Sequence, residues 1–153
     1  MPIFFYKANE THGYLSNFAE FDFYSEGVHW KTSEHYYQAH KFSNEKIIRE
    51  IIEAPTPQRA ADLAYMHADE MVENWEKIKE EIMYKAIENK FEQNLNIKKL
   101  ILDTRDELLI EAADDDGYWG YGCEKKGKNR LGSLLMKYRS LAQNRLGLFH
   151  EEK

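Results

Sequence analysis

Cysteine is nearly absent. Cys123 is the only one in 153 residues, so no disulfide can close within the chain. No apolar run approaches the roughly 20 residues that a membrane-spanning helix requires. The opening residues, Met1-Pro2-Ile3-Phe4-Phe5-Tyr6-Lys7, lack the charged start and cleavage site of a signal peptide. Together these absences predict a reducing, cytoplasmic setting. Basic charge is also in short supply: 21 Lys and Arg stand against 27 Asp and Glu, a net charge of -6. Proteins that neutralise many phosphates carry a basic surface. An extensive nucleic-acid surface is therefore not expected, although a single nucleotide or one modified base stays compatible. Metal-binding patterns are missing as well. His35 and His40 are five apart and project from different helix faces, H-E-x-x-H does not occur, and Cys123 has no companions for a zinc site. Neither a Walker nor a Rossmann glycine pattern is present. No metal and no organic cofactor is implied, and there is no internal repeat, low-complexity tract or linker.

Hydrophobic residues make up 42% and charged residues 31%, the balance of an ordinary globular protein. The length predicts one compact domain over residues 1–145, followed by a loose tail over 146–153. A chain of this size buries about two-thirds of its unfolded surface and needs no staples. Aromatics are plentiful, with ten Tyr, eight Phe and three Trp. They serve a core, a pocket wall for planar ligands, or both.

Short strands are predicted over Ile3 to Tyr6, Phe21 to Tyr24 and Val28 to Trp30, with Ser25-Glu26-Gly27 as a turn. Thr32-Ser33 offers capping hydroxyls for a helix from Glu34 to Phe42. Ile47, Ile48, Ile51 and Ile52 mark a second helix that Ala54-Pro55 stops. Thr56-Pro57 starts a third, running to about Tyr65. Asp69 to Glu92 reads as one long amphipathic helix. A shorter helix over Ile97 to Leu102, a strand over Glu107 to Ala112, and a polar glycine-rich stretch from Asp114 to Gly127 follow. Asn129 then caps a last helix through Leu131, Leu134, Leu135, Tyr138 and Leu141. The predicted class is α+β, mostly helical and packed around a small sheet.

Three segments can carry chemistry. Glu34, Gln38 and Lys41 are spaced i, i+4 and i+7 and would share one helix face. Either that face is solvated, or its long side chains converge on a ligand; flanking Tyr, Ala and Phe favour burial, where Glu and Lys need partners. The acids Asp114, Asp115 and Asp116 precede Gly117-Tyr118-Trp119-Gly120, a loop after a strand. They read as a turn of solvated acids and lack the spacing of a calcium loop. Gly127-Lys128-Asn129-Arg130 precedes a helix, where backbone N–H groups can point outward toward a phosphate, or where Gly and Asn serve only as caps.

Read in order, these pieces resemble the NADAR family, also called YbiA-like. The matching stretches are Gly13-Tyr14-Leu15-Ser16-Asn17-Phe18, Ser33-Glu34-His35-Tyr36-Tyr37-Gln38-Ala39-His40-Lys41-Phe42, Ala54-Pro55-Thr56-Pro57, Trp75 leading to Ile82-Met83, and Lys90-Phe91-Glu92-Gln93-Asn94. They continue with Glu111-Ala112, Asp116-Gly117-Tyr118-Trp119-Gly120-Tyr121-Gly122 and Asn129-Arg130-Leu131-Gly132-Ser133-Leu134-Leu135-Met136. The chain departs from the pattern at Asn74, where Asp is common, and at Ala113-Asp114, where Ser-Pro is common.

The resemblance implies an N-glycosidase that cuts the C1–N bond between a ribose phosphate and a flat heterocycle. The implied substrate is a ribosylamino-pyrimidine phosphate of riboflavin biosynthesis; the alternative is ADP-ribosylated guanine. It implies Glu34, Lys41 and Asp116 as catalytic groups. In that reading Lys41 is a nucleophile forming a transient imine, Glu34 a proton carrier, and Asp116 a group that orients ribose hydroxyls or activates water. The plainer role for Lys41 is an ion pair with Glu34 or Asp116. Substrate-binding candidates are Asn17, Gln38, Trp75, Trp119, Gly120, Asn129 and Arg130, with Trp75 equally readable as core. Two non-enzymatic readings stay open: a module that holds a nucleotide without turnover, and a regulatory protein docking through an exposed apolar face of the last helix. The sequence leaves the oligomeric state open.

Overall fold

A computed structural model describes residues 1–147 of the chain; residues 148–153 of the expected tail lie outside the described residues. The fold is α+β. Among the described residues it has six α-helices and two two-stranded sheets, where the sequence predicted helices around one small sheet. The chain forms two compact units: Asn17–Asn94, and Met1–Ser16 together with Leu95 onward.

The central unit holds a hairpin of β2 (Phe23–Ser25) and β3 (Val28–Trp30), paired antiparallel with Phe23 opposite Trp30. Strand β2 starts two residues later than Phe21, because pairing is set by the tight turn. Glu26 and Gly27 both take positive φ, 51° and 81°, the geometry of a two-residue hairpin turn whose twist matches the strands. Helix α1 (Ser33–Ala39) follows, and all its residues are buried. Thr32 Oγ1 caps it by accepting from the His35 amide at 3.2 Å. His35 fixes the other side: its Nε2 donates to the Ala54 carbonyl at 3.0 Å, and its Nδ1 lies 2.8 Å from the Thr32 hydroxyl. Burial lowers the His35 pKa, which keeps the neutral tautomer that this pair of bonds needs.

Helix α1 ends sooner than its sequence periodicity suggests. Lys41 and Phe42 amides bond back three residues, to Gln38 and Ala39, because Asn44 must already cap α2 (Glu45–Glu53) with its side chain. Lys41 therefore lies beyond the helix. Thr56 caps α3 (Pro57–Met66), with Pro57 opening it, as the sequence indicates. The long helix is also corrected. Ala68–Glu70 is a 3-10 turn, and α4 spans Trp75–Glu92. Between them Val72 donates its amide to the Lys41 carbonyl at 2.8 Å, a bond that no continuous helix allows. Helix α1 packs against α2, α3 and α4, over a core of Phe23, Trp30, Tyr36, Phe42, Ile51 and Leu63.

In the second unit, β1 (Ile3–Phe5) pairs in parallel with β4 (Leu109–Glu111), Ile3 opposite Leu109. A 3-10 turn over Gly13–Leu15, not foreseen in the sequence, is buried. Helices α5 (Leu95–Asp103) and α6 (Arg130–Arg145) pack together, and α6 also packs on β4. A Cβ on Gly132 would lie 2.0 Å from the Leu109 carbonyl oxygen, so only glycine allows that approach. Among the described residues no helix is long and apolar enough to cross a membrane.

Lys90, on α4, is 1% exposed, with its ammonium 5.3 Å from the Phe91 ring centre and 6.0 Å from that of Phe21. Burial pushes its pKa down to about 7 from 10.5. Between those values the unfolded chain binds a proton that the folded chain does not, so this residue makes stability rise with pH. Lys90→Met should remove this contribution, flattening the rise of stability between pH 7 and 10.5. Urea denaturation at a series of pH values checks the slope.

Candidate active site

In the central unit the sequence candidates Glu34, Gln38, Lys41 and Trp75 come together. Glu34 sits in the first turn of α1, where a carboxylate is favoured by the unpaired N–H groups and the helix dipole. It is 8% exposed. Its Oε2 accepts from Gln38 Nε2 at 2.6 Å. The other end of that amide, Gln38 Oε1, is buried and has no donor among the described residues, leaving an acceptor beside the carboxylate. Buried acceptors normally find a donor, so Gln38 is suited to a ligand N–H or O–H.

Lys41 reaches the same place from the turn after α1. Its ammonium stands 5.2 Å from the Tyr37 ring centre and 6.0 Å from that of Trp75. The two rings meet edge to face at 5.2 Å. Burial by this aromatic corner lowers the Lys41 pKa. The Glu34 charge partly restores it, Lys79 lowers it further, and Glu76 raises it. The shift follows mainly from desolvation, the cause expected from the flanking aromatics. The shared helix face predicted for the trio holds only for Glu34 and Gln38.

Asn17 is buried and braces the site from below α1. Its Oδ1 accepts from the Ser33 hydroxyl at 2.8 Å, its carbonyl accepts from the Glu34 amide at 3.2 Å, and its Nδ2 meets Met83 Sδ at 3.3 Å. These bonds hold the start of α1. Trp75 is 4% exposed; it belongs to the core and touches the site through its contact with Lys41. Tyr37, with Glu76 and Lys79, was not singled out in the sequence. Its position next to Gln38 in an aromatic run is the signal that marks it.

The remaining candidates lie in the other unit. Asp116 Oδ1 accepts from the amides of Tyr118 and Trp119 at 3.0 and 2.9 Å, an Asx turn that shapes the glycine-rich loop. Trp119 stacks edge-on with Tyr118 at 4.9 Å. Gly120 is buried where a Cβ would lie 2.9 Å from the Glu111 carbonyl oxygen.

Two readings of the next segment are corrected. The Asn129 side chain does not cap α6. Its Oδ1 accepts from the Glu111 amide and its Nδ2 donates to the Leu109 carbonyl, each at 2.9 Å, so it pairs with β4 as a strand would. Nor are outward N–H groups left for a phosphate at residues 127 to 131. Those of Gly127, Lys128, Asn129, Arg130 and Leu131 donate to carbonyls of Tyr121, Gly117, Gly120, Tyr118 and Trp119. Arg130 is the first residue of α6 and half-buried. Among the described residues, no group of three His, Cys, Asp or Glu could hold a metal ion.

The sequence profile described as the NADAR domain matches residues 4–142. The chain is 43% identical over 135 residues to N-glycosidase YbiA of Escherichia coli, a match covering 88% of this chain and 84% of that one. The NMR structure of E. coli YbiA superposes with a TM-score of 0.86, over 94% of this chain and 86% of that one. N-glycosidase Npun_R5314 of Nostoc punctiforme is 39% identical over 151 residues, 97% of each. A protein of Vibrio vulnificus named for riboflavin biosynthesis is 34% identical over 142 residues, covering 93% of this chain and 39% of its own length.

Two outcomes test this geometry. Glu34→Gln removes the charge that holds the Lys41 pKa up, so that pKa should fall further; an NMR titration of the labelled lysine side chain reads it. Asn129→Ala leaves the Glu111 amide and Leu109 carbonyl without partners and should cost about 2 kcal/mol or more, measured by urea denaturation.

Proposed function

This chain belongs to the NADAR family and is an N-glycosyl hydrolase, and from that premise we propose that it hydrolyses a ribosylamino-pyrimidine phosphate at the C1–N bond. The observation that carries the reading is the desolvated Lys41 amine set beside the Glu34 carboxylate. The riboflavin-biosynthesis name of the Vibrio relative supports a pyrimidine leaving group. The net charge of -6 supports a small substrate over the alternative, ADP-ribosylated guanine in nucleic acid.

A ribosylamine opens to an imine whose C1 is electrophilic. The neutral Lys41 amine adds to that carbon, and its nitrogen gives up a proton to Glu34. Glu34 passes that proton to the departing nitrogen, then carries the second proton of the Lys41 nitrogen along the same route as the C1–N bond breaks, and the free heterocyclic amine leaves. Lys41 is then joined to C1 as an imine. Water adds there, the Lys41 nitrogen departs, and the ribose phosphate is released with the enzyme unchanged. A lowered lysine pKa raises the share of neutral nucleophile at physiological pH. Gln38 Oε1 is the acceptor proposed for a donor on the substrate.

Lys41→Arg keeps a positive charge but cannot form the imine. It should lose turnover and yield no borohydride-trapped adduct, whereas the unaltered protein should gain the mass of a reduced ribose phosphate. Full activity in Lys41→Arg would sink the covalent route. Glu34→Gln should slow turnover by about 10²–10⁴-fold, the usual worth of a positioned proton carrier. Mass-spectrometric product analysis with both substrates distinguishes ribose 5-phosphate release from ADP-ribose release; intact but bound substrate would favour a non-catalytic module.

A further inference from the structure

Helix α1 has a second functional-looking side. Away from Glu34, Gln38 and Lys41, its residue Tyr36 and the His40 that follows its last turn face a partly open cavity of about 220 Å³ between the β2–β3 hairpin and α2. Trp30 lines it from β3, Ile48 and Ile52 from α2, and Glu26 from the hairpin turn. None of the groups placed at the glycosidase site lines this cavity.

The wall is aromatic and has unspent polar capacity. The His40 and Tyr36 rings lie 4.0 Å apart at 34°, and the His40 and Trp30 rings 5.5 Å apart. Flat rings at such spacings accept another planar group well. His40 Nδ1 donates to the Tyr36 carbonyl at 2.7 Å, so in the neutral ring Nε2 is the acceptor. Burial favours that neutral ring by lowering the pKa, with the Tyr36 carbonyl and Glu26 opposing and Lys85 assisting. Trp30 is 5% exposed, and its Nε1–H has no acceptor among the described residues.

Glu26 adds the most telling detail. It occupies the first central position of the hairpin turn at φ 51°, where Asn, Asp or Gly is preferred and a longer side chain is strained. Glu26 lines the cavity. Burial and hydrogen bonding shift the Tyr36 and His40 pKa values most, and the Glu26 charge raises both. An outlier kept at a turn that simpler residues would fill better points to a task.

We propose that this cavity is a second binding site, for a small planar heteroaromatic amine. Its ring packs among Trp30, Tyr36 and His40, and its amino hydrogens go to the Glu26 carboxylate and His40 Nε2. A ring nitrogen serves as the acceptor for the indole N–H. The occupant also presses on the helix that carries Glu34 and Gln38. This site does not depend on the glycosidase mechanism proposed above.

The test uses 2,4-diaminopyrimidine as the probe and unsubstituted pyrimidine as the control, followed through the Trp30 indole N–H resonance, which Trp30→Phe identifies. A saturable shift with the diamine and little with the control is expected. Glu26→Gln should weaken binding about tenfold, the worth of one charge-assisted hydrogen bond. Glu26→Asn should weaken it as well while raising Tm, because the turn is relieved; opposite signs rule out simple misfolding. The proposal is overturned if the diamine at millimolar concentration leaves the resonance unmoved. It is equally overturned if Glu26→Gln binds as tightly as the unaltered protein, or if Glu34→Gln abolishes the shift while Glu26→Gln does not.

Discussion

Burying a polar helix is the constraint on which the central unit rests. Every residue of α1 is buried, including a carboxylate, an amide, a hydroxyl and an imidazole. Water cannot solvate them there, so the partners must come from the protein, with Gln38 Oε1 the exception. Thr32, Asn17 and the Ala54 carbonyl provide the bonds at the start of the helix, and Gln38 answers Glu34 one turn later. The cost of any mismatch is high in a low-dielectric interior. That is why the surrounding elements are set so closely: the end of α2 must reach His35, and the loop before the hairpin must reach Ser33.

The same constraint creates reactivity. A helix that excludes water on one side also desolvates Lys41, and the rings of Tyr37 and Trp75 take the place of solvent. Burial and the Glu34 charge pull the lysine in opposite directions. The balance leaves an amine that is neither a free surface ammonium nor a fully paired ion. The acid, amide and amine spread over Glu34 to Lys41 are the groups on which the proposed proton transfer at nitrogen rests.

Local chemistry made much of this legible in advance. Thr56-Pro57 and Thr32 are capping signals whose meaning is confined to the next few residues, and each opens a helix as expected; the Asn44 cap of α2 was not read from the sequence. The Val28 to Trp30 strand follows from its β-branched and aromatic residues beside a Glu-Gly turn. Boundaries set by distant contacts were not legible. The α1 end depends on where α2 must begin, and the break before Trp75 depends on a bond from Val72 to Lys41. Periodicity alone ran both helices too far. Asn129 shows the same limit: its residue type suggests a cap, but the partners of its amide are strand groups 18 and 20 residues away. Glu34, Gln38 and Lys41 were recognisable as a trio, while Tyr37, the nearer ring over Lys41, was hidden among other aromatics.

The parallel pairing of β1 with β4 joins residues more than a hundred positions apart, Ile3 with Leu109. The contiguous stretch from Asn17 to Asn94 intervenes and is compact by its own contacts. During synthesis on the ribosome, that nested stretch can settle as soon as it emerges. The first strand, made earliest, must wait unpaired until its partner leaves the exit tunnel. Such long closures raise contact order and slow the last step of folding. Until then the apolar Ile-Phe-Phe strand is an unpaired edge of the kind that invites aggregation.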